Sequence, residues 1–126
     1  MLAMPYEIIT HNIGNVDSIA NILFLAGTKR FASPSATFMF HGVGFDGDVN
    51  ERLEEKNLKE KLDMVEADNK RIASIIEARS GIPLAEGIKL FEAQSTKDAV
   101  WAKAKGVIHD ISDFKLPSGA DVRYLV

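Results

Sequence analysis

Nine residues, Ser18 to Ala26, constrain the fold of this chain more than any others. Ile19, Ile22, Leu23, Phe24 and Leu25 cover most of the circumference of the helix they predict, and a helix apolar on so many sides is normally buried between layers. Asn15 or Asp17 caps it, and Gly27 stops it. Tyr6 to Ile13, rich in β-branched and aromatic residues, reads as a strand before it, ending at Gly14. After it, Lys29 to Ser35 reads as a loop with a proline stop. Ala36 to Val43 then reads as a second strand whose continuous apolar content suits burial on both faces. Strand, helix and strand at this length predict a βαβ unit and an α/β fold.

The same stretch puts Ser18 at the start of the helix and His41 in the strand that follows. A helix N-terminus offers free backbone N–H groups and a partial positive charge. A hydroxyl there with an imidazole nearby suits acyl transfer, in which the serine attacks, the histidine takes its proton, and backbone donors hold the oxyanion. A plain helix-start serine and a hydrogen-bonded core histidine are the commoner uses of these residues. His11 and His109 are read as structural.

At 126 residues the chain fits one domain, residues 1–126. With 46% hydrophobic and 26% charged residues it has the composition of a soluble globular protein. A net charge of −3, with lysines and arginines spread among acids, supplies no basic stripe for nucleic acid. The absence of cysteine removes disulfides, thiol nucleophiles and thiolate metal sites, and suits a reducing cytoplasm. The opening lacks the pattern of a signal peptide, and no apolar run reaches the roughly 18 residues of a membrane span. A cytoplasmic protein is therefore expected.

The longest helical pattern runs from about Asp48 to Arg79, with Gly81 and Pro83 as its stop. Leu58, Leu62, Val65, Asn69, Ile72 and Ile76 alternate at spacings of four and three, a coiled-coil seam with one polar member. Roughly 30 helical residues would extend about 45 Å, more than a domain of this size is wide, so one end is expected to protrude. A partner subunit on the seam and a solvated helix on its own sheet are weighed evenly. Two short helices, Leu84 to Ala93 and Thr96 to Lys105, a last strand at Val107 to Ile111 and a tail from Phe114 to Val126 complete the reading.

The run GNVDSIANILFLAGTKRFASPSATFMFHG resembles the Clp-type serine peptidases of the ClpP/crotonase fold. Ser18, Ala26-Gly27, Lys29-Arg30-Phe31, Pro34-Ser35 and His41 match that family's pattern over about a quarter of the chain. The long helix, about 48–80, corresponds to its protruding handle, and Ala104-Lys105-Gly106-Val107-Ile108 resembles its closing segment. The resemblance implies a peptidase acting through an acyl-enzyme, with Ser18 as nucleophile, His41 as acid and base, and the N–H of Ile19 as one oxyanion donor. It implies peptide or unfolded-protein substrates, assembly of like subunits through the long helix, and no metal or organic cofactor. An ATP-driven unfoldase would be a partner, since no Gly-x-x-x-x-Gly-Lys loop occurs here.

The third member of the triad is implied less directly. A gap-free count back from Gly106 reaches Leu90, which cannot orient an imidazole. A deletion puts Gln94 opposite the family's acid, with Glu92 and Asp98 nearby. Asp98 is taken as the carboxylate because Ser95-Thr96-Lys97-Asp98 resembles the acid-bearing stretch, and its alternative role is a charge in the first turn of a helix. The family's N-terminal portion, including the Gly-Gly turn that supplies the second oxyanion donor, has no counterpart, so the expected domain is N-terminally truncated. A catalytically impaired scaffold and, on the same fold, a crotonase-type acyl-thioester enzyme are the alternatives.

Overall fold

A computed structural model describes residues 4–48 and 50–125. Val49, within the expected start of the long helix, and Val126, the end of the expected tail, lie outside the described residues, as do Met1 to Ala3 of the opening. The fold is α/β, with elements in the order β1 (Ile9–Asn12), β2 (Asn15–Asp17), α1 (Ala20–Leu25), β3 (Lys29–Ala32), β4 (Thr37–Met39), α2 (Glu55–Arg79), α3 (Leu84–Glu92), β5 (Thr96–Asp98), α4 (Ala99–Ala104) and β6 (Asp110–Ile111).

The expected βαβ unit is present as two interleaved sheets. Each half of the chain around α1 contributes one strand to each sheet: β1 and β3 pair in parallel, and so do β2 and β4. Strand β6 extends the first sheet in parallel to the order β1-β3-β6, whereas β5 joins the second antiparallel in the order β2-β4-β5. Two of these strands lie where the sequence predicts a helix cap and a loop. Asn15 to Asp17 is β2, and Lys29 to Ala32 is β3. Their polar content hides them, because each gains its partner only from tertiary pairing.

The core joins both sheets to the helices through Phe38, Phe40, Leu25, Ile76, Ile82, Val107 and Ile108, all essentially without solvent contact. Phe24 meets Phe38 edge-on at 5.2 Å, and Phe40 meets Trp101 at 5.8 Å, geometries that aromatic quadrupoles favour. Helix α1 buries Phe24 and Leu25, but Ile19 and Leu23, one turn apart, are 62% and 60% exposed. Only one side of this apolar helix is therefore covered among the described residues.

Helix α2 starts later than expected. Asp48 Oδ1 accepts from the N–H of Asn50, and the Asp48 carbonyl accepts from Glu51, so this acid holds a turn that competes with helix. The helix begins instead at a reciprocal cap between Glu54 and Asn57. Its 25 residues span about 37 Å. Burial rises along the seam: Leu58 and Leu62 are exposed, Val65, Asn69 and Ile72 are half-buried, and Ile76 is in the core. The N-terminal half thus stands clear of the body, while the C-terminal half packs on α3 and α1.

Candidate active site

Parallel pairing of β2 with β4 sets the register Asn15 to Thr37, Val16 to Phe38 and Asp17 to Met39. Ser18, one residue past β2, and His41, two past β4, therefore leave the sheet at the same end. The ladder continues into the turn, where the N–H of Ser18 donates to Met39 O at 2.9 Å. Ser18 itself lies just before α1, with φ +55°. Such a left-handed conformation is uncommon for a residue with a side chain. It turns the chain sharply from strand to helix.

Ser18 and His41 both line a cavity of about 230 Å³, together with Asn21, Phe40, Ile72 and Phe91. Among the described residues, the Ser18 hydroxyl and the His41 ring make no hydrogen bond to each other. His41 Nδ1 is instead 2.8 Å from the carbonyl oxygen of Gly42. A carbonyl only accepts, so Nδ1 carries a proton, and in the neutral ring the lone pair is then on Nε2. That contact favours the neutral tautomer that a general base requires. Beside it, the N–H of Ile19 finds no carbonyl acceptor among the described residues.

The other flank of His41 opens into a groove of about 450 Å³ lined by Gly42, Val43, Asn69, Glu92 and Gln94. Asn69, the polar member of the α2 seam, accepts from the N–H of Val43 through Oδ1 at 2.8 Å. Its amide also lies where a Cβ on Gly42 would press, 3.2 Å away. The seam's polar residue thereby fixes the loop that follows the histidine.

The residues weighed for the third member separate in space. Leu90 is core, whereas Glu92 and Gln94 line the groove that His41 also lines. Asp98 lies elsewhere. In the antiparallel register it stands opposite Thr37, four residues before His41 along the chain. Its Oδ1 accepts from the N–H of Trp101 at 2.8 Å, which makes it the N-cap of α4. Asp98 is not among the residues that line either space beside His41. The three residues Thr96 to Asp98 form β5, so the expected helix from Thr96 is shortened to α4.

The family model of the Clp protease matches residues 1–115. This chain belongs to the Clp protease family. No curated protein matches it. Membership places the chain among ClpP-like peptidases at the level of the family, and the α/β fold with its long helix agrees with that. No helix among the described residues is long and apolar enough to cross a membrane, and no three His, Asp or Glu side chains gather there as a metal site. Sequence reasoning assigned no site role to two residues of this Clp-family site, Asn21 and Asn69, the second legible only as the polar member of the seam. The signal for Asn21 was its place as the one polar side chain between Ile19 and Leu25.

Proposed function

We propose that this Clp-family chain is a serine-type peptidase that cleaves peptide bonds through an acyl-enzyme. Ser18 Oγ attacks the scissile carbonyl carbon and gives its proton to His41 Nε2. The N–H of Ile19 donates to the oxyanion. When the C–N bond breaks, the amine leaves with the proton held by His41, and a water activated by the same nitrogen then hydrolyses the ester. The Gly42 carbonyl holds the imidazole as an acid would in a triad, though without the full charge of a carboxylate. The substrates are peptides or unfolded proteins, and the subunits assemble through α2, with an ATP-driven unfoldase as a further partner. The observation that supports a Ser18–His41 pair most is their arrival from parallel strands at one cavity.

The competing reading is a scaffold that has kept the fold without turnover. It is favoured by the lack of a direct bond between the serine and the histidine, although catalytic contacts are often loose in an empty site. Labelling with a fluorophosphonate decides between the two. The unmodified chain is expected to take up the probe, Ser18→Ala to take up none, and His41→Ala to label about 10²–10⁴-fold more slowly. An unmodified chain that takes up no probe, or equal uptake by Ser18→Ala, overturns the serine mechanism.

A further inference from the structure

The left-handed turn at Ser18 is held by more than the sheet ladder. Asn21 Nδ2 donates to Ser18 O at 3.0 Å and to Met39 O at 2.8 Å. One amide nitrogen thus ties the turn carrying the serine to the strand that reaches His41 two residues later. Both partners are carbonyls, which only accept, so the orientation of the amide is fixed with Nδ2 towards them.

Among the described residues, Asn21 Oδ1 then has no donor. It is buried without a hydrogen-bond partner, on a residue only 2% exposed that forms part of the cavity wall. A buried acceptor left in this state opposes folding, and an aliphatic side chain of similar size would avoid the cost. Nor does the backbone need the amide. Met39 O already accepts from the N–H of Ser18, and Ser18 O from the N–H of Asn21 at 3.1 Å. An asparagine that leaves one end unsatisfied, and doubles bonds already made at the other, is poorly explained by stability.

We propose that Asn21 is a positioning residue for the nucleophile, whose side chain locks Ser18 in its left-handed conformation at the cavity and in register with the His41 strand. This rests on Ser18 being the nucleophile. Asn21 touches no reacting atom. It acts by restricting where the Ser18 hydroxyl stands before attack, and small misplacements of a nucleophile slow its reaction steeply.

The test compares the unmodified full chain with Asn21→Leu by fluorophosphonate labelling over a range of probe concentrations. The maximal inactivation rate is expected to fall about 10- to 100-fold with the half-saturating probe concentration unchanged, while Tm falls by less than about 5 °C. A second measurement needs no activity. In a Ser18→Gly background, where glycine takes a positive φ freely, Asn21→Leu is expected to lower Tm by less than it does beside serine. Should the leucine variant not fold, Asn21→Ala, which only removes atoms, replaces it in both measurements. A variant that labels at the unmodified rate, or Tm losses that simply add, overturns the positioning role and leaves Ser18 as nucleophile. An unmodified chain that takes up no probe overturns both.

Discussion

At the scale of single residues, the centre of the matched Lys29-Arg30-Phe31 run proves to be a structural cation. Arg30 is buried and donates from Nε to Val107 O at 2.7 Å, from Nη1 to Gly27 O at 3.0 Å, and from Nη2 to Arg79 O at 2.9 Å and Gly106 O at 3.1 Å. These carbonyls lie at or just beyond the ends of α1, α2 and α4, where helix dipoles are negative. Burial, and after it the charge of Arg79, pull the Arg30 pKa below its ordinary value, which is the cost of holding a cation among dipoles without a carboxylate. The backbone of Arg30 is engaged too, because its N–H donates to His109 Nδ1 at 2.9 Å. His109 is therefore held structurally, with Nδ1 unprotonated. Arg30→Met should destabilise the fold by about 2–4 kcal/mol, since several buried carbonyls lose a charged donor at once. Arg30→Lys should recover only part of the loss, because an ammonium cannot fork to three helix ends. Urea denaturation measures both, and a midpoint shared with the unmodified chain would show that the carbonyls are satisfied without the guanidinium.

At the scale of elements, Asp98 has a local role that can be tested apart from the one the resemblance implies. Its place at the start of a helix was legible in the sequence, and the structure gives it the cap of α4. Asp98→Ala should therefore cost about 1 kcal/mol and leave the fluorophosphonate labelling rate of the folded protein unchanged. A large loss of labelling at unchanged stability would make it the orienting acid. The strand β1, the helix α1, the long helix and the short helix α3 were also legible, because each carries its own local composition or spacing. Strands β2 and β3 were not. Asn15-Val16-Asp17 is three residues long and polar at both ends, and Arg30 looks like a loop residue until the carbonyls around it are in place. The site shared this limit: the order of Ser18 and His41 along the chain could be read, but the Gly42 carbonyl behind the ring and the amide behind the serine depend on contacts between distant segments.

At the scale of the whole molecule, α2 divides into a half that builds the body and a half that projects from it. Ile76 is in the core, and Ile72 packs against it and lines the cavity beside Ser18 and His41. Leu58, Leu62 and Met64 are 50%, 55% and 61% exposed on the projecting half. Charge introduced at these two places should have different consequences. Ile72→Asp places a carboxylate against the core, so it should lower stability and disturb the cavity together. Leu62→Asp adds a charge where water already reaches, so it should leave the monomer fold intact. If the projecting seam is an interface between subunits, Leu62→Asp buries an unpaired charge there and should dissociate the assembly. Sedimentation of the unmodified chain and of Leu62→Asp, with the circular dichroism of each, separates these effects. An assembly that falls to monomers with unchanged helix content locates the interface on the outer half of α2, whereas an unmodified chain that sediments as a monomer ends the case for assembly through this helix.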